Sequence, residues 1–404
     1  SGVGAKVMAG ALSAAHAYNS AEEPSVTLVF EDSARPAEEV FKAFSKQGVT
    51  AVVGPLDRNR AVEYAAAADA FQIPLMTMTA QSAKELMQQA EGGDEGADRR
   101  PKKPEEQGGG EQREQERSYV FRNFVDPRAE ARAAARLAFE EAGDRKAAVI
   151  YPGIGYGRTM ADEFRSEFRD MGGQIVVEVE YDRNSSDFAS VATQLAGSDA
   201  EAVFVPDSAS KVAELTAFFA NANVWGYAVD EERPSRYKRK HVHYLGTGLW
   251  QDPMLIRQAR SYVDGAAVPS WFSPSFSSDR VERFVRRFDA VYGRSPENFE
   301  AFAYDSVSWF MSLQLERGMT RPEALRDALL SSPSFEGVTG AARFRADGEA
   351  VRELRFVTPG SEGFEPLPFT ATTESSERDA PAEDDSQPGS QSDDDTAASG
   401  AQPE

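Results

Sequence analysis

The segment Pro152-Gly153-Ile154-Gly155-Tyr156-Gly157 follows an apolar strand and opens a helix, with Glu178 and Glu180 on the next strand. This spacing imitates a dinucleotide fingerprint, in which glycines let a pyrophosphate approach a helix N-terminus and an acid holds the ribose. Arg158 stands where that fingerprint wants Gly or Ala. The segment therefore reads as a tight strand-to-helix turn. Other catalytic chemistry is poorly supplied. There is no cysteine, so no disulfide, thiolate metal site or cysteine nucleophile exists. The three histidines are His16, His241 and His243, and the last two alternate along one face of an expected strand. No P-loop and no G-x-S-x-G elbow occurs. Carboxylates are plentiful, but they lie on ordinary helix faces. No catalytic residue, cofactor or metal site is expected.

The chain has 404 residues, 41% of them hydrophobic, which suffices for two cores. No apolar run is long enough for a transmembrane segment. A net charge of -22 repels nucleic acid and anionic lipid. Much of the charge sits in residues 370–404, a tail rich in Asp, Glu, Ser and Pro that is expected to be disordered. Residues 88–117 lack apolar periodicity and read as a disordered insertion. The basic stretch 232–240 reads as a solvated loop.

The elements that must carry any site alternate strand and helix. SVTLVFED is expected as a strand, followed by a helix whose Val40, Phe41 and Phe44 share a face. TAVVG and IPLMTMT are strands separated by the helix RAVEYAAAADAF. YVFRNF leads into a helix with Asp126 as N-cap and Pro127 in its first turn. KAAVIY, QIVVEVEYD, AEAVFVPD and HVHYLGTG are further strands with helices between them. Three helices follow, and AARFRADGEAVRELRFVTP closes as two strands joined at Asp347-Gly348. Apolar strands alternating with amphipathic helices imply an α/β fold with parallel sheets covered on both faces. The opening SGVGAKVMAGALSAAHAYN reads as an amphipathic helix, not a signal peptide, and the pattern is one strand short at its start.

Several segments in order resemble the type I periplasmic-binding-protein family, especially its leucine/isoleucine/valine-binding branch. They are AVVGPLDRNRAVEYAAAADAFQIPLMTMTAQSAKEL, YVFRNFVDP, AAVIYPGIGYGRTMADEFRSEFRDMGGQIVVEVEYDRNSSDFASVATQL, YLGTGLWQDPMLIRQARSYVDGAAV and FAYDSVSWFM. The resemblance implies two Rossmann-like lobes joined by a multi-crossover hinge near Phe124, Pro269 and Val338. Lobe 1 would hold residues 1–122 plus 270–336, and lobe 2 residues 123–269 plus 337–369. Ligands of open α/β sheets bind beyond the carboxyl ends of strands, so two such edges would face each other across a closable cleft.

The resemblance also implies ligand-binding positions. Arg58 stands near the place of a carboxylate-binding serine, and Thr77, Thr79 and Ser82 match a hydroxyl after the next strand. Tyr156 matches the tyrosine of a Tyr-Gly motif. An acid expected around Gly246-Thr247-Gly248 is absent from that loop, and Asp207 is the nearest substitute by chain order. Trp250 is a candidate wall or contact residue. The expected function is extracytoplasmic capture of a small polar or anionic, amino-acid-like ligand for a membrane permease of an ABC-type importer. The location would be periplasmic, with lipid anchoring through a preceding segment as one form. LGTGLWQDP also resembles the penicillin-binding protein activators, lipoproteins whose partner is a cell-wall synthase and which bind no solute.

Overall fold

The computed structural model describes residues 2–19, 26–92, 118–226, 240–259 and 261–373. Most of the expected insertion, the basic stretch up to 239, and the tail from 374 onward lie outside the described residues. The insertion is narrower than expected at its start, because helix α4 runs Ala83–Gly92. The tail begins later than expected, because strand β13 runs Phe364–Thr372.

Two parallel sheets form. The first joins β1 (Val52–Val53), β2 (Leu75–Thr77) and β3 (Val120–Arg122) in that order. The second has the order β5-β4-β6-β8-β7, from β4 (Lys146–Pro152), β5 (Gln174–Tyr181), β6 (Ala202–Phe204), β7 (Val224–Gly226) and β8 (Lys240–Leu245). Both have the buried apolar strands that a doubly covered sheet requires: Leu75, Met76, Ala148, Val149, Val203 and Phe204 are wholly buried.

The covering helices follow the sequence periodicity. Around the first sheet lie α1 (Gly2–Tyr18), α2 (Ala37–Gln47) and α3 (Arg58–Phe71). Phe41, Phe44, Tyr64 and Leu75 share one core there. Around the second lie α5 (Pro127–Arg136), α6 (Gly155–Asp170), α7 (Ala189–Gly197), α8 (Ala209–Asn221) and α9 (Pro253–Ala259). The Asp126 side chain caps α5 by accepting from Arg128 N at 3.1 Å, with Pro127 in the first turn. The chain then returns towards the first sheet with α10 (Asp279–Tyr292), α11 (Asn298–Arg317) and α12 (Pro322–Ser331). Helix α1 lies against α11 so closely that a Cβ at Gly10 would overlap the Glu300 carbonyl.

SVTLVFED departs from expectation. Its described part, from Val26, forms no strand. Val26 and Leu28 pack against α1 and α11, but Val29 and Phe30 are exposed. Extended conformation becomes a ladder only with a neighbouring backbone to bond to, and none of the described strands lies beside it.

A third, antiparallel sheet was legible only in part. It joins β10 (Phe335–Gly337), β11 (Gly340–Phe344), β12 (Ala350–Pro359) and β13, with β9 (Val268–Ser270) pairing β12. The β11–β12 turn falls at Asp347-Gly348, and Gly348 has a φ of 80° that favours glycine. This sheet ties the other two together. Glu349 bridges Arg122 at the end of β3, and Ala267 bridges Leu245 at the end of β8. The ends of β3 and β8 are therefore joined through one hydrogen-bonded element.

Beneath it lies a buried polar network. Asp305 accepts from Val338 N at 2.8 Å and Thr339 N at 2.7 Å, and from the Thr339 hydroxyl at 2.5 Å. Arg352 donates to the same hydroxyl at 2.6 Å and to Asn123 Oδ1. Asn123 in turn donates to Ser306 at 3.0 Å. Two chain crossings, at Asn123 and at Val338–Thr339, are thus fixed by one set of bonds.

Candidate functional site

Residues that follow strands of the two parallel sheets meet in one apolar cluster. Leu56, after β1, and Met78, after β2, join one apolar cluster with Tyr156 of α6, Phe124, Trp271 and Phe302. Thr77 and Thr79 flank Met78. Both are buried, at 0% and 3% exposure, and neither hydroxyl makes a hydrogen bond among the described residues. Thr247, after β8, is also wholly buried. Its hydroxyl makes no well-aligned hydrogen bond, though it lies close enough to the Tyr156 oxygen to favour the phenolate. Buried hydroxyls are normally satisfied, so Thr77 and Thr79, with Thr247 after β8, make the strand ends here a candidate ligand site.

The remaining sequence candidates divide. Tyr156 is half-buried, and its pKa is raised by burial first and by the Glu130 carboxylate second. Asp207, after β6, is already engaged: it accepts from Tyr181 at 2.6 Å and from Ser208 N at 2.6 Å. Ser82 accepts from Glu85 N at 3.1 Å while Glu85 accepts from Ser82 N at 2.9 Å, a reciprocal cap that starts α4. Arg58 is exposed in the first turn of α3, close in the chain to the cis Gly54-Pro55 bond. Trp250 lies in the core of lobe 2, wholly buried, and donates its indole N–H to Val205 O at 3.0 Å. It props the loop that carries Thr247 and presents no free ring surface.

The Pro152–Gly157 turn is structural. A Cβ at Gly157 would overlap the Pro152 carbonyl, so glycine there serves close helix–strand packing. Glu180, the acid a ribose would need, is held bidentately by Arg158 at 2.6 and 3.0 Å. His243 pairs with Asp144 at 2.8 Å, and its side chain is buried.

One residue at the site was not found from sequence. Glu130, on α5, accepts from Gly248 N at 2.9 Å and from Trp271 Nε1 at 2.5 Å. Burial pushes its carboxyl up to about 7, against the two hydrogen bonds, and the nearby Asp126 adds to the rise. The loop Gly246–Gly248 carries no acid of its own, yet the structure brings one to it from another element. A glutamate within an alanine-rich helix, four residues after its N-cap, gave no local signal of this.

A family model described as "Periplasmic binding protein" matches residues 1–363. No curated protein sequence matches significantly. Among solved structures, a putative branched-chain amino acid ABC transporter from Rhodospirillum rubrum is similar at a TM-score of 0.71 and 20% identity, covering 91% of this chain and 95% of that one. The branched-chain amino acid transporter substrate binding protein LivJ from Streptococcus pneumoniae, in complex with isoleucine, has a TM-score of 0.57 at 20% identity, covering 90% and 94%. A solute binding protein from R. palustris in complex with benzoate has a TM-score of 0.56 at 16% identity, covering 90% and 91%. These structures share the two-lobed α/β architecture. With two parallel sheets tied by a third, antiparallel one and a family match over residues 1–363, this protein belongs to the periplasmic binding protein family.

Proposed function

We propose that the chain captures a small amino-acid-like solute between its lobes, outside the cytoplasm, and delivers it to the membrane permease of an ABC-type importer. Lobe 1 would comprise residues 1–122 plus 270–336, and lobe 2 residues 123–269 plus 337–369, with the antiparallel sheet as their hinge. A lipid-anchored form would do the same work at the membrane surface. The observation that carries the reading is the pair of buried, unsatisfied hydroxyls of Thr77 and Thr79 after β2, with the buried Thr247 hydroxyl beside Tyr156 after β8. Leu56, Met78, Tyr156 and Trp271 supply apolar contact beside them. Isoleucine and benzoate, the ligands of two similar structures, each join a carboxylate to an apolar body. Hydroxyls beside apolar side chains suit that combination. Arg58, exposed in the first turn of α3, would serve as the cation for the carboxylate as the lobes close.

Isothermal titration against amino acids, aromatic carboxylates and amides tests this. A binder is expected, and Arg58→Ala should weaken it by about tenfold, the loss of one charge-assisted contact. A broad screen in which nothing binds would sink the reading.

A further inference from the structure

We infer that Glu130 is a positioning residue for solute capture: its carboxylate clamps the rim loop after β8 and the Trp271 segment after β9 onto α5, and this clamp loosens on acidification. The inference rests on the proposed capture site but not on the identity of the solute.

Three separate parts of the chain meet at this one side chain. Glu130 belongs to α5, which begins just after the first crossing. Gly248 belongs to the loop that also carries the unsatisfied Thr247. Trp271 follows β9, where the chain returns to lobe 1. The fit is close. A Cβ at Gly248 would stand 2.9 Å from Glu130 Oε1, so any larger residue would push the carboxylate aside.

Both partners are obligate donors, one a backbone N–H and one an indole N–H. A carboxylate answers both, one oxygen each. A protonated carboxyl carries a hydrogen on one oxygen, so one donor faces a weaker acceptor. Few other charges bear on the group. Asp126, at the N-cap of α5, raises its pKa, and Asp126 is itself approached by Arg122 at 4.0 Å and Arg132 at 3.6 Å. Tyr156 of α6 is the neighbouring phenol. Residues 246–250 and 270–273 carry no charge. The desolvated carboxyl, pushed up to about 7, therefore changes state near neutral pH.

The test follows the indole N–H of Trp271 by NMR from pH 5 to 9 on the full chain. Trp271→Phe assigns its signal among the four tryptophans. The signal should move with a midpoint near 7 in the native protein and stay flat in Glu130→Gln. Isoleucine, a zwitterion throughout pH 6 to 8, is the binding probe. Its dissociation constant should rise about fivefold at pH 6, the weakening of one charge-assisted hydrogen bond. In Glu130→Gln it should be independent of pH. A flat indole signal in the native protein, or an equal transition in Glu130→Gln, overturns the inference. If isoleucine does not bind but Trp271 titrates with Glu130, the clamp stands and the solute reading is what suffers.

Discussion

Glu130 and Gly248 are 118 positions apart in the chain, yet the carboxylate of one accepts the backbone N–H of the other at 2.9 Å. The contact sets an acid against a loop that has none, and it does so through helix packing. Its energetics are two-sided. The hydrogen bonds favour the ionised form, whereas burial disfavours it and prevails.

Folding stability should therefore fall as pH rises through the neutral range. A carboxyl whose folded pKa is raised contributes stability that is full below its unfolded value of 4.5 and lost as pH approaches about 7. The loss amounts to about 3 kcal/mol at most. Urea unfolding at pH 5 and pH 8 should show this slope in the native protein and a shallower one in Glu130→Gln.

Thr79→Val should separate binding from stability. The hydroxyl is buried and bonds to nothing among the described residues. Its removal should leave the unfolding midpoint unchanged or raise it, because an unsatisfied polar group is lost. Solute affinity should drop by about fivefold, one hydrogen bond's worth. A large loss of stability with unchanged affinity would assign Thr79 to the fold instead.

Arg352→Leu should be among the most damaging single changes. Arg352 is 3% exposed and serves Thr339 and Asn123 while Asp305 lies in the same network. Its loss leaves a buried carboxylate without its nearby cation, at a cost of about 3–5 kcal/mol. Arg158→Ala, which breaks the exposed pair with Glu180, should leave the unfolding midpoint where it is. Chemical denaturation of the two variants side by side checks the contrast.

Gly10→Ala tests the seating of α1. The added methyl would overlap the Glu300 carbonyl, which is backbone and has no rotamer to escape into. Overpacking of this kind costs about 1–3 kcal/mol. Alanine otherwise favours a helix over glycine, so stabilisation by Gly10→Ala would show that α1 does not pack as described.

By itself the sequence determined the alternation of strand and helix, because buried parallel strands need unbroken apolar runs and their covering helices need one apolar face. The family resemblance offered Thr77, Thr79 and Tyr156 as candidate positions, and the residue pattern itself marked Arg158 as the residue that spoils a nucleotide turn. The hinge sheet was read only as a hairpin. Val268–Ser270 pairs with β12 across a long chain separation, and a strand that short carries no periodicity of its own, while Phe364–Thr372 folds back on β12 across residues 360–363 as a further hairpin. Val26 onward shows the reverse case, an apolar run with strand composition that has no neighbour to pair with. Only the tertiary structure decided what Trp250, Asp207 and Ser82 do. An indole in the core, a carboxylate bonded to Tyr181 and a hydroxyl capping α4 look like ligand residues in a string of letters. Only packing could reveal Glu130, since whether an acid on an alanine-rich helix meets water or a backbone N–H depends on what lies against that helix.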